Sequence, residues 1–140
     1  MAVSYLRSSW GTYLLATAAG PILEDQLSCG SAVGHGEWDV NRVGVESYRV
    51  RARLLGLDLA VDESDRNLVL AIGGDDRLCC RWQLVFYREQ SGYVLLNRAV
   101  GLVLTACERV GIGSSALNLI PYIGLPNQHW SLIDRGGSLR

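Results

Sequence analysis

The chain has 140 residues, 49% of them hydrophobic and 19% charged, a balance that fits one globular domain over 1–140 and excludes a disordered chain. A formal net charge of −1 provides no bulk attraction to nucleic acid, so no nucleic-acid partner is expected. All 13 basic side chains are Arg and none is Lys, which excludes Schiff-base chemistry and a P-loop.

From the N-terminus, Arg7 is followed by Tyr13-Leu14-Leu15-Ala16-Thr17-Ala18-Ala19. A signal peptide with a small-residue cleavage site has this look, but so does a strand, and the strand reading fits the repeat described next. It leaves the compartment open, with the cytoplasm favoured. Nowhere does an apolar run approach the roughly 18 residues of a membrane span.

Four markers recur in one order. Tyr5, Gly11, Leu14 and Trp38 come first, then Tyr48, Gly56, Leu59 and Trp82, then Tyr93, Gly101, Leu104 and Trp130. The Gly positions are 45 apart each time, the Tyr positions 43 and 45, and the Trp positions 44 and 48. Such a period signals a repeat architecture. Between markers the pattern has period two, as in Tyr48-Arg49-Val50-Arg51-Ala52-Arg53-Leu54 and Leu57-Asp58-Leu59-Ala60-Val61-Asp62. Turn signals built from Gly, Asp, Ser, Pro and Asn separate these runs, at 73–76, 90–92, 111–115 and 125–127. No segment holds a 3.6-residue period over ten residues. The class is therefore all-β: three repeats of four strands, at about 3–45, 46–90 and 91–140. A propeller needs more blades than three, whereas a threefold barrel capped by hairpins fits the count and hides its strand edges. On this plan Leu14, Leu59 and Leu104 meet near the axis, and Val3–Ser8 pairs with Ser131–Ile133.

The third repeat, with Gly92-Tyr93-Val94-Leu95-Leu96-Asn97-Arg98, Gly101-Leu102-Val103-Leu104 and Asn127-Gln128-His129-Trp130, resembles the ricin B-chain type β-trefoil, whose mark is Gln-x-Trp. The likeness weakens in repeats 1 and 2, where Gly36-Glu37-Trp38 and Cys80-Arg81-Trp82 lack the Gln. The resemblance implies a β-trefoil with pseudo-threefold symmetry and a carbohydrate or glycoconjugate partner. It also implies where sugar would bind: an Asp four residues past the repeat Gly, an aromatic platform, and the Asn before the Gln. Here the Asp position holds Leu15, Ala60 and Thr105, and the Asn position holds His35, Cys79 and Asn127. Repeat 2 is thus expected to be dead. Repeat 3 keeps Thr105 and Asn127, with Tyr122 as platform and Gln128 as a further contact or a buried amide. Repeat 1 offers His35 and Glu37 as a polar pair outside the family pattern.

Other constellations have plain structural readings. One Trp per repeat at a matched position is core packing, whereas the unmatched Trp10 is expected in an exposed turn. Arg49, Arg51 and Arg53 share one strand face; they either greet an anion or are neutralised by Glu46, Asp58, Asp62, Glu63 and Asp65. Cys29, Cys79, Cys80 and Cys107 contain no CxxC, so they read as buried thiols or one disulfide, and His35-Gly36-Glu37 lacks the partners of a metal site. With two His and no nucleophile elbow, neither catalysis nor a cofactor is expected. The leading function is a non-enzymatic, lectin-like module with one or two weak sugar sites. The alternatives are a protein-binding trefoil, such as a protease inhibitor using loops 20–31 or 75–80, and an assembly module that self-associates through the apolar 120–125 segment.

Overall fold

The computed structural model describes residues 2–24, 34–72, 77–107 and 116–134. Twelve strands run along them: β1 (Ala2–Ser8), β2 (Tyr13–Thr17), β3 (Gly20–Glu24), β4 (Trp38–Gly44), β5 (Ser47–Ala52), β6 (Leu57–Asp62), β7 (Asn67–Ala71), β8 (Trp82–Tyr87), β9 (Gly92–Asn97), β10 (Val103–Cys107), β11 (Ala116–Ile120) and β12 (Trp130–Asp134). Six of them close a ring of antiparallel pairs, β1–β4–β5–β8–β9–β12 and back to β1. The other six form the hairpins β2–β3, β6–β7 and β10–β11, each joined to the barrel strand before it. The hairpins meet one another across one end of the barrel. This is the β-trefoil arrangement, and β1 lies against β12 with Ser4 opposite Asp134 and Ser8 opposite Trp130.

The repeated residues do equivalent work. Gly11, Gly56 and Gly101 all have positive φ (+85°, +67° and +71°), which a Cβ disfavours, so the turn between barrel strand and hairpin selects Gly. Leu14, Leu59 and Leu104 are fully buried in one core. The backbone carbonyl of each accepts the indole N–H of its own repeat's Trp: Trp38 to Leu14 at 3.0 Å, Trp82 to Leu59 at 2.9 Å and Trp130 to Leu104 at 3.0 Å. Each Trp thereby fills the core and ties barrel to hairpin with a satisfied donor. Trp10 stands outside this scheme and is 49% exposed.

One assignment needs correction. Tyr48 is opposite Trp82 and Tyr93 opposite Trp130, but the residue opposite Trp38 in repeat 1 is Ser4, not Tyr5. The turn after β1 is one residue shorter. Gly11 N–H reaches back to Ser8 O, whereas Gly56 reaches Ala52 and Gly101 reaches Asn97. The even Gly spacing conceals this deletion, and a one-residue slip sends a side chain to the opposite face.

The arginine row is paired with two carboxylates, those of Asp58 and Asp39. Arg51 Nε donates to Asp58 Oδ1 at 3.0 Å, Arg49 Nε lies 3.0 Å from Asp58 Oδ2, and Arg53 contacts Asp39 at 3.4 Å. Asp58 itself is wholly buried. Cys79, Cys80 and Cys107 are free thiols, while Cys29 lies outside the described residues.

Candidate ligand-binding site

In the third repeat, a 3₁₀ turn at Pro126–Gln128 leads into β12 and places its side chains against β10. Gln128 is fully buried. Its Oε1 accepts the N–H groups of Ile123 (2.9 Å) and Leu125 (3.2 Å), and its Nε2 donates to Pro121 O (2.9 Å) and Thr105 Oγ1 (3.4 Å). Thr105 is 1% exposed, and its hydroxyl donates to Val103 O at 3.1 Å. Gln128 is thus the buried amide, one of the two roles its place allows, while Thr105, expected as a sugar contact, is instead an internal tie because its hydroxyl is buried. Replacing Gln128 with Ala would leave two amide donors, those of Ile123 and Leu125, and two acceptors, Pro121 O and Thr105 Oγ1, without this partner. We expect a loss of about 3 kcal/mol in a denaturant melt, and wild-type stability in Gln128→Ala would contradict the buried-amide assignment.

Asn127 is half-buried and donates Nδ2 to Ala106 O at 2.6 Å. His35 makes the matching contact in repeat 1, Nδ1 to Ala16 O at 2.8 Å. Ala16 and Ala106 stand five residues past their repeat Gly, so the proposed Asn positions are equivalent in space. Each already spends a donor on the neighbouring strand. Glu37, two residues past His35, is half-buried, and its backbone bonds Gly34 and Arg53.

The second repeat, expected to be dead, holds a cavity of about 370 Å³ lined by Ala60, Asp62, Glu63, Arg77 and Cys79 among others. Its polar wall is partly committed. Ser64 donates to Asp62 Oδ1 from both hydroxyl (2.7 Å) and amide (3.0 Å), and these bonds hold the Asp62 carboxyl below its ordinary value.

Tyr122 is directed elsewhere. It stacks on Tyr87 with ring centroids 5.1 Å apart and 30° between planes, and both rings meet the edge of buried His129. Because His129 Nδ1 faces Leu125 O at 2.8 Å, it must carry the ring proton, which leaves Nε2 to accept the Tyr122 hydroxyl at 2.9 Å. Burial, then the neighbouring Tyr87, raises the Tyr122 phenol above its ordinary value, so it stays protonated as this bond requires. The fixed rings form one side of a cavity of about 520 Å³ lined by Phe86, Tyr87, Arg88, Glu89, Gln90, Tyr122 and Gly124. Phe86 is half exposed and packs on Tyr93, ring centroids 5.0 Å apart. The five residues 86–90 end β8 and form the following 3₁₀ turn; the spacing of the Trp repeat carries no trace of them, and the run of aromatic and polar types at Phe86-Tyr87-Arg88-Glu89-Gln90 is the signal that could have marked them.

Neither family models nor curated proteins match the chain. Solved structures do. The designed threefold-symmetric protein ThreeFoil superposes with a TM-score of 0.80 at 22% identity, covering 94% of this chain and 98% of that one. The Haemophilus ducreyi cytolethal distending toxin gives 0.81 at 16%, covering 93% and 81%. The Polyporus squamosus lectin, bound to a human-type influenza-binding epitope, gives 0.75 at 15%, covering 95% and 49%. At these identities the likeness establishes the fold alone: the chain is a β-trefoil.

Proposed function

We propose that this chain is a non-enzymatic carbohydrate-binding module whose site is the cleft between Tyr122 and the 86–90 segment. The observation that carries the reading is the Tyr87–Tyr122 ring pair fixed beside Arg88, Glu89 and Gln90 in one cavity. Sugar recognition asks for these two elements. An aromatic face takes the apolar face of a pyranose, and nearby charged or amide groups pair with its hydroxyls. The lectin among the structural neighbours supports the class, not the sugar. Because Arg88, Glu89 and Gln90 are exposed, water competes for their bonds, and affinity per site should be about millimolar, near −4 kcal/mol.

An NMR titration with simple galactosides and mannosides tests this. Shifts should gather at Phe86–Gln90 and Tyr122–Gly124, vanish in Tyr122→Ala and persist in Asn127→Ala. Shifts confined to other residues, or none at high sugar concentration, would remove the reading and favour a protein partner.

A further inference from the structure

The second-repeat cavity is lined in part by the Cys79 thiol, which has a second thiol next to it. Cys79 and Cys80 belong to a 3₁₀ turn at Leu78–Cys80, which places their Sγ atoms 3.9 Å apart. Cys79 lines the cavity and is 4% exposed, while Cys80 behind it is fully buried. Here the repeat carries Cys80 where repeat 3 has Gln128, each two residues before its repeat's Trp. We infer that Cys79 and Cys80 form a two-sulfur site for an organic trivalent arsenical that enters through this cavity.

Geometry selects the ligand class. A tetrahedral zinc-type ion wants about four protein donors, and no group of three His, Cys, Asp or Glu suited to a metal occurs among the described residues. Linear two-coordination, as for mercuric ion, spreads its two sulfurs beyond 3.9 Å. A monosubstituted arsenic(III) needs only two neighbouring sulfurs on one side, and its third substituent can lie in the cavity. The exchange balances without a redox partner. Each thiol passes its proton to the oxygen of an arsenoxide and forms an As–S bond, the oxygen leaves as water, and arsenic stays trivalent. Burial, then the adjacent Cys79, raises the Cys80 thiol to about 11. That disfavours reagents needing a preformed thiolate, but an arsenoxide brings its own proton acceptor.

The test uses phenylarsine oxide and the full chain. Intact mass should show one adduct, a gain of the arsenoxide less one water, and peptide mapping of the wild-type adduct should place it on the segment holding Cys79 and Cys80. The adduct should be lost in Cys79→Ala and in Cys80→Ala, survive in Cys107→Ala, and be reversed by a dithiol but not by a monothiol. The melting temperature separates a folded site from capture of unfolded chain: binding to the native state raises it, by about 9 °C at a hundredfold excess over Kd. A fall in melting temperature, an adduct mapped elsewhere, or no adduct would overturn the inference. If a Cys variant fails to fold, the mapped wild-type adduct and its melting shift still decide.

Discussion

Deleting residues 1–10 should abolish cooperative folding. β1 is a barrel stave, held by β12 over five registered positions and by β4 over three. Its removal takes Leu6 out of the core, a loss of about 2–3 kcal/mol in burial alone. It also uncovers Trp38 and Trp130, both fully buried and each opposite a β1 residue. Worse, it opens the ring. β12 and β4 become free edges, and the edge groups formerly paired must find water or another chain. Total stability of a domain this size is on the order of 5–15 kcal/mol, less than the combined loss. Circular dichroism on heating should show no sigmoidal transition, and proton NMR should lose its dispersed methyl signals. A truncated chain that melts at the full-length temperature would show that the barrel closes without β1.

Fold-determining residues were legible in the sequence because they act locally. Gly at positive φ, Leu three residues later and a distant Trp each answer one demand of the repeat, so they recur with the repeat. Tyr5 was misplaced because the shortened turn between Ser8 and Gly11 changes strand register without changing the Gly spacing. Thr105 misled for another reason. In β10 the first four residues are all buried, since one face meets the core and the other lies under the Pro126–Gln128 turn. A strand covered on both sides gives no alternation from which exposure could be inferred. The Tyr122 cleft is built from segments some 35 positions apart, 86–90 and 122–124, which meet because β9 lies between β8 and β12 in the ring. Only the pairing of β9 with both strands makes them neighbours. The candidate loops at 20–31 and 75–80 fall partly outside the described residues.

Asp58→Ala should cost about 3 kcal/mol. Its carboxylate is completely buried, and the two guanidinium groups on it come from β5, the strand next to its own β6. Removing one side of a buried charge cluster typically costs about 3–5 kcal/mol, because the remaining charges lose their partner but keep part of their desolvation. The lower end applies here, since Arg49 and Arg51 side chains are 22% and 36% exposed and can recover some hydration. The two arginines would also repel each other across one strand face. Urea unfolding should therefore show a lower midpoint at unchanged slope, as expected when stability falls without a change in the surface exposed. The control separates charge imbalance from lost packing: Arg49→Met, Arg51→Met and Asp58→Leu combined should lie within about 1.5 kcal/mol of wild type, because replacing a whole buried cluster by apolar groups of similar volume is often neutral. If Asp58→Ala alone is neutral, the arginines are solvated in the folded state and the clamp contributes nothing. If the triple variant falls as far as the single one, the loss lies in shape rather than charge, and the joint between barrel and hairpin depends on how Asp58 fills its site.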